Sequence, residues 1–160
     1  MRQYFLKCWV VICLLIAPLC LSGKTSLPFL PGEKLEYSLK WGFIPVGFAN
    51  MEVSPRKDGD EEPWQIRFSV RTNNFADKFY KVRTNITSLV DANFTRSLQY
   101  IKSQQEGKTK KEILVQFDYD DEKVVFTENK QTPRLLPLKK NVYDPLSIAF
   151  AFRLHPSTPQ

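Results

Sequence analysis

The chain has 160 residues, 23 lysines and arginines against 17 acids, a formal net charge of +6, three cysteines and a single histidine. That length suits one domain, and the cationic residues are scattered, without the dense basic stripe and interleaved aromatics of a nucleic-acid binder. One histidine and three cysteines clustered near the N-terminus leave little material for a thiolate metal site or a nucleophilic triad in the rest of the chain.

Residues 1–22 read as a secretory signal peptide. Arg2 and Lys7 supply a positive start, and Cys8 to Leu21 is an uncharged, mostly apolar run of 14 residues. At about 1.5 Å per residue the run spans roughly 21 Å, short of a bilayer core of about 30 Å, and Pro18 breaks its end. Cys20 and Ser22 are small residues at −3 and −1 for cleavage after Ser22. The expectation is export without a stable membrane span, and the competing outcome is a lipid anchor on Cys20, against which Leu19 argues. Cleavage would leave 138 residues, a charge of +4, and no cysteine.

Residues 23–32 form an extended lead-in, because Pro28 and Pro31 forbid a regular helix. A single β-rich domain is expected over 33–154, with a tail at 155–160. Leu35, Tyr37, Leu39 and Trp41 alternate with polar residues, the signature of a half-buried strand. Gly42 to Pro45 turns the chain, and Val46 to Val53 carries Gly47, Ala49, Met51 and Val53 on one face, small enough for close approach by a neighbour or for a bend. Pro55 to Pro63 is an exposed hairpin loop by composition. Trp64, Ile66, Phe68 and Val70 make the cleanest alternation, and these three segments predict an antiparallel meander.

Asn73 to Phe79 holds a helical turn, after which Tyr80, Val82, Thr84 and Ile86 restart a strand. Leu98 to Ile101 is weaker. Beyond a polar turn at Gln105 to Lys110, Ile113, Val115 and Phe117 mark another strand, with Tyr119 continuing its face. Asp120 to Lys123 turns the chain into Val124 to Thr127. Residues 129–141 are a proline-punctuated connection. Asp144-Pro145 then supplies an N-cap with proline at the first helical position, followed by Leu146, Ala149, Phe150 and Arg153 at helical spacing.

The fold class expected is mainly β: a curved antiparallel sheet, a half-barrel or open barrel of about seven strands, with one late C-terminal helix. Its inward faces carry Tyr37, Trp41, Trp64, Phe68 and Phe117. Such residues fill a core, or they line a cavity that takes an apolar ligand; the five are the candidate ligand-binding residues.

Chemistry is thin elsewhere. His155, in a proline-flanked tail, has no nucleophile to serve. Asp118, Asp120, Asp121 and Glu122 tempt as a calcium loop, but the required glycine and glutamate are replaced by Lys123 and Asn129. Glu33 with Asp118 or Asp144 could pair for glycoside hydrolysis, though seventeen acids always offer pairs. Asn85-Ile86-Thr87 and Asn93-Phe94-Thr95 match the glycosylation sequon. No cofactor motif is present.

Pro31-Gly32-Glu33-Lys34-Leu35-x-Tyr37, then Gly47, Phe117-Asp118-Tyr119 and Asp144-Pro145-Leu146-Ser147, resemble a family of bacterial exported proteins labelled domain of unknown function 3108, from about Pro28 to Arg153. The resemblance implies a periplasmic or outer-membrane-associated β-domain and offers no catalytic residues to carry over. A looser similarity, at the level of fold, links it to the LolA/LolB lipoprotein carriers. Members of the family continue with further strands beyond this helix, so a truncated chain with an open sheet edge is also expected. The functional expectation is a non-enzymatic binding or carrier module for a lipid or envelope polymer, without nucleic acid. The alternatives are a structural protein recruiting a protein partner through a sheet edge, and a carboxylate-dependent hydrolase.

Overall fold

The computed structural model describes residues 28–56 and 62–154. Residues 1–22, where a signal peptide was expected, with their three cysteines, and the tail from His155 lie outside the described residues.

Eight strands follow one another in space as they do in sequence: β1 (Glu33–Trp41), β2 (Ile44–Pro55), β3 (Trp64–Thr72), β4 (Val82–Val90), β5 (Ser97–Glu106), β6 (Thr109–Asp118), β7 (Lys123–Glu128) and β8 (Arg134–Pro137). Every neighbouring pair is antiparallel. A helix, α1 (Ser147–Leu154), follows the last strand. The mainly-β expectation holds, with one strand more than the sequence suggested. The sheet is open and uncurled, with β1 at one edge and β8 at the other, rather than curled into a half-barrel.

The eighth strand sits in the stretch read as a connection. Pro133 and Pro137 hide it, because proline cannot donate to a ladder. At an edge, however, one side of the strand needs no donors, and all four residues of β8 are exposed.

Register assigns the faces. Val53 pairs with Ile66, Ile66 with Ser88, Ser88 with Tyr100, and Tyr100 with Val115, so these side chains share one side of the sheet. The core lies on this side, where Phe29 of the lead-in, Phe94 of the β4–β5 loop, and Leu146 and Phe150 of α1 close over Val53, Ile66, Val90 and Tyr100. The Phe29 ring meets Phe94, Phe150 and Trp64 at centroid distances of 5.1, 5.3 and 5.5 Å. The lead-in is thus more than an approach to the first strand; its one large aromatic side chain is buried at the centre of the core.

Phe94 reaches that position at a conformational cost. It is 1% exposed and has φ 59, a left-handed backbone that a bulky residue adopts only when its surroundings over-determine it. Asp91 does the holding. Its carboxylate accepts the amide of Thr95 at 2.6 Å and that of Arg96 at 2.9 Å, and the Phe94 amide donates to the Asp91 carbonyl.

Gly47 behaves as its size suggested. A Cβ there would lie 2.4 Å from the Arg71 carbonyl oxygen on β3, closer than any side chain tolerates.

Candidate functional site

Two places concentrate side chains beyond ordinary sheet packing. The first is the seat of α1. Asp144, 3% exposed, is the N-cap: one carboxylate oxygen accepts the amides of Leu146 at 2.8 Å and Ser147 at 3.0 Å. The other oxygen accepts hydroxyl donations from Ser88 of β4 and Ser97 of β5, both at 2.6 Å. The Ser97 oxygen in turn accepts the Asp144 amide at 2.9 Å and lies 2.9 Å from the Ser147 hydroxyl. Four donors on one carboxylate satisfy a buried charge without a cationic partner. The Asp-Pro-Leu-Ser segment therefore fastens the helix to two central strands.

This arrangement is structural in its chemistry. Each hydroxyl is engaged, and the carboxylate beside them, Asp144, is itself occupied by four donors. The Asp144 charge, together with the larger effect of burial, raises the Tyr100 phenol above its ordinary pKa. The cap was legible from Asp144-Pro145. The two serines were not, since nothing local marks Ser88 or Ser97; only the pairing of β4 with β5 brings them together.

The second place is the remainder of the core-side face. Four of the five residues singled out as ligand-binding candidates lie on it. Tyr37 pairs with Ala49 and Phe68 with Met51, Trp64 opposes Val90, and Phe117 opposes Val124. A bulge at Leu39/Lys40 shifts the register, and beyond it Trp41 opposes Ile44, out of phase with the core-side residues of β2. They do not converge on one pocket. Trp64, Phe68 and Phe117 are half-buried against the core, and the Trp64 ring donates to the Ala92 carbonyl at 3.3 Å. Tyr37 and Trp41 stand away from it on the edge strand, exposed by 47% and 80%.

Between these groups runs a half-buried apolar band, with Leu39 on β1, Met51 on β2, Val70 on β3 and Ile86 on β4. The face is therefore capped by α1 and the lead-in near the β4–β5 loop and open toward the β1–β2 turn. The opposite side of the sheet is mostly polar. It carries the cross-strand pair Arg67–Glu52 at 3.3 Å beside a shallow depression of about 300 Å³ that Lys34, Asn50, Asn85 and Thr87 also line.

The remaining candidates resolve locally. The acidic run is the β6–β7 hairpin turn. Asp118 accepts the Asp121 amide at 3.0 Å, and Lys123 bridges Asp118 and Asp121. Those contacts hold the Asp118 carboxyl below its usual pKa, the backbone hydrogen bond contributing most. Glu33 pairs with Arg153, which also donates to the Pro28 carbonyl at 3.0 Å and so ties the helix end to the lead-in. Glu33 and Asp144 thus each have structural partners. Among the described residues, no group of three His, Cys, Asp or Glu side chains could hold a metal ion.

A single antiparallel meander, with one apolar face half covered by a short C-terminal helix, defines the class of protein. Within that class the chain belongs to the family described as "Protein of unknown function (DUF3108)", whose model matches residues 36–158. No curated protein and no solved structure matches it, so the likeness to lipoprotein carriers gains nothing from structural comparison.

Proposed function

We propose that this is an exported, non-enzymatic binding or carrier module of the bacterial envelope, holding a lipid or another apolar ligand on the open part of its apolar sheet face. One observation carries the reading: the apolar stripe that forms the core runs on through Phe68, Met51, Val70 and Leu39 to the exposed ring of Tyr37, with the exposed Trp41 at the end of the same strand. An apolar band of this kind on a monomer's surface marks a contact site. Export to the periplasm or outer membrane is supported by the basic, apolar and small-residue pattern of residues 1–22.

Native mass spectrometry of the processed chain, purified from a bacterial host, tests the proposal. The expected result is a co-purifying lipid that is lost in Met51→Lys and Val70→Lys, each folded by circular dichroism. A ligand-free wild type that also fails to take up a fluorescent fatty acid would sink it.

A second reading rests on the sheet edges. β1 and β8 each pair on one side only, and β8 is exposed throughout, so a partner protein could add a strand there. Crosslinking separates the two, since a strand-adding partner attaches at Arg134–Pro137 or along β1 and ignores the apolar face.

A further inference from the structure

The end of the sheet farthest from the core carries a row of exposed aromatic side chains, of which the ligand reading uses Trp41 alone. Trp41 and Phe43 stand at the β1–β2 turn, with Phe43 90% exposed; Phe75, Phe79 and Tyr80 stand on the β3–β4 loop, with Phe79 78% exposed. The two loops are joined. The Asn73 amide donates to the Val46 carbonyl at 2.9 Å and its side chain to the Pro45 carbonyl at 2.7 Å. The β5–β6 turn adjoins them, with the Gly107 amide donating to the Lys81 carbonyl at 2.8 Å. Gly107 has φ +57, and a Cβ there would press on the Tyr80 ring at 3.1 Å.

The row is held rigidly. Asp77 accepts from Thr72 and from both terminal nitrogens of Arg83, and the Asn73 side chain accepts the Ala76 amide at 2.9 Å. The Phe75 and Phe79 rings meet edge to face at 5.5 Å. Phenyl rings built into an ordered loop and still presented to water are costly unless something receives them.

Charge names the recipient. Lys40, Arg71, Lys78, Lys81, Lys108 and Lys110 surround the row. Asp77 is neutralised by Arg83, which leaves Glu106 as the other acid on these three turns and their strand ends. At the opposite end, the β6–β7 turn carries Asp118, Asp120, Asp121 and Glu122. Lys123, Arg96, Lys139 and Lys140 offset those acids, so the surplus of positive charge lies at the aromatic end.

From this geometry we propose that the three-turn rim docks on an anionic lipid bilayer. Phe43, Phe79 and Trp41 enter the interface, and the lysines lie over the head groups. Convex aromatic tips ringed by long-stemmed cations suit a deformable interface, which admits each ring separately. A protein partner would need a matching concavity. The field of the molecule brings this end to a negative surface first. The inference shares Trp41 with the ligand reading but does not depend on it, because Phe43, Phe75, Phe79 and Tyr80 lie beyond the open face.

Vesicle co-sedimentation tests it, comparing equal parts phosphatidylglycerol and phosphatidylcholine with phosphatidylcholine alone. Wild type is expected to favour the anionic vesicles. Each lysine at such a surface contributes about a fivefold factor, so Lys78→Glu with Lys81→Glu and Lys108→Glu lowers binding by at least on the order of a hundredfold. Phe43→Ser with Phe79→Ser lowers it too, whereas Asp120→Asn with Asp121→Asn leaves it unchanged. The apolar segment Cys8 to Leu21, if retained, is common to all variants and cancels. Equal binding to both vesicle types, or rim variants that sediment like wild type, overturns the proposal. A chain that carries a lipid yet ignores vesicles sinks the rim and spares the carrier reading; vesicle binding by a ligand-free chain does the reverse.

Discussion

The two ends of the sheet use the same residue types to opposite purposes. At the α1 end, Phe29, Phe94 and Phe150 are all but completely buried, and every polar group beneath the helix has a partner. At the far end, Phe43 and Phe79 are almost bare although their loops are just as well hydrogen-bonded. Aromatic content therefore does not locate a core. The difference is made by sequence-distant cover: α1 and the lead-in return over one end of the apolar face, and no described element returns over the other.

That contrast can be broken by mutation. The largest effect is expected at Phe94, where Phe94→Ala should lower unfolding free energy by about 3–5 kcal/mol in denaturant titration, whereas Phe43→Ala stays within about 0.5 kcal/mol. If the two cost the same, the assignment of core and rim is wrong. Asp144→Ala comes next, at about 3 kcal/mol, because it removes the cap and strands the Ser88 and Ser97 hydroxyls in the interior. Asp144→Asn keeps the cap acceptor and should cost about a third of that, a ratio that thermal melts can read.

Gly47→Ala is expected to cost about 1–3 kcal/mol, since the Arg71 carbonyl must move to admit the methyl group. A smaller and more local effect sharpens the rim. Asp77 sits below its ordinary pKa, chiefly through its hydrogen bond from Arg83 and then through Thr72. A depressed carboxyl stabilises above its unfolded value, near 4, and the contribution is lost as pH falls through the lowered folded value. The protection factors of the β3–β4 loop amides in hydrogen exchange should therefore fall in acid before those of the core amides do. Asp77→Asn should reproduce that loosening at neutral pH with little change in global stability.

Much of this fold was legible in the chain. Alternation at Leu35–Leu39 and Trp64–Val70, turns at Gly42–Pro45 and Asp120–Lys123, and the Asp144-Pro145 cap each act within a few residues, and each stands within a residue or two of where it was expected. Tyr37, Trp64, Phe68 and Phe117 do share a face, because a period of two is a local property of a strand, whereas the bulge before Trp41 breaks that period. Strand β8 was not legible. Its prolines argue against pairing in general, and only its place at an edge excuses them.

The sequence by itself determined the class of the protein: mainly antiparallel strands joined by short polar turns, closed by one capped helix, because each of those features is set by neighbours along the backbone. Only the tertiary structure decided which aromatic side chains are buried and which meet water. It also decided that two serines on adjacent strands share one aspartate, and that the sheet stays open. Those outcomes depend on contacts between residues dozens of positions apart, such as Phe29 with Phe150 and Ser88 with Asp144, and a pattern of local periodicity carries no record of them.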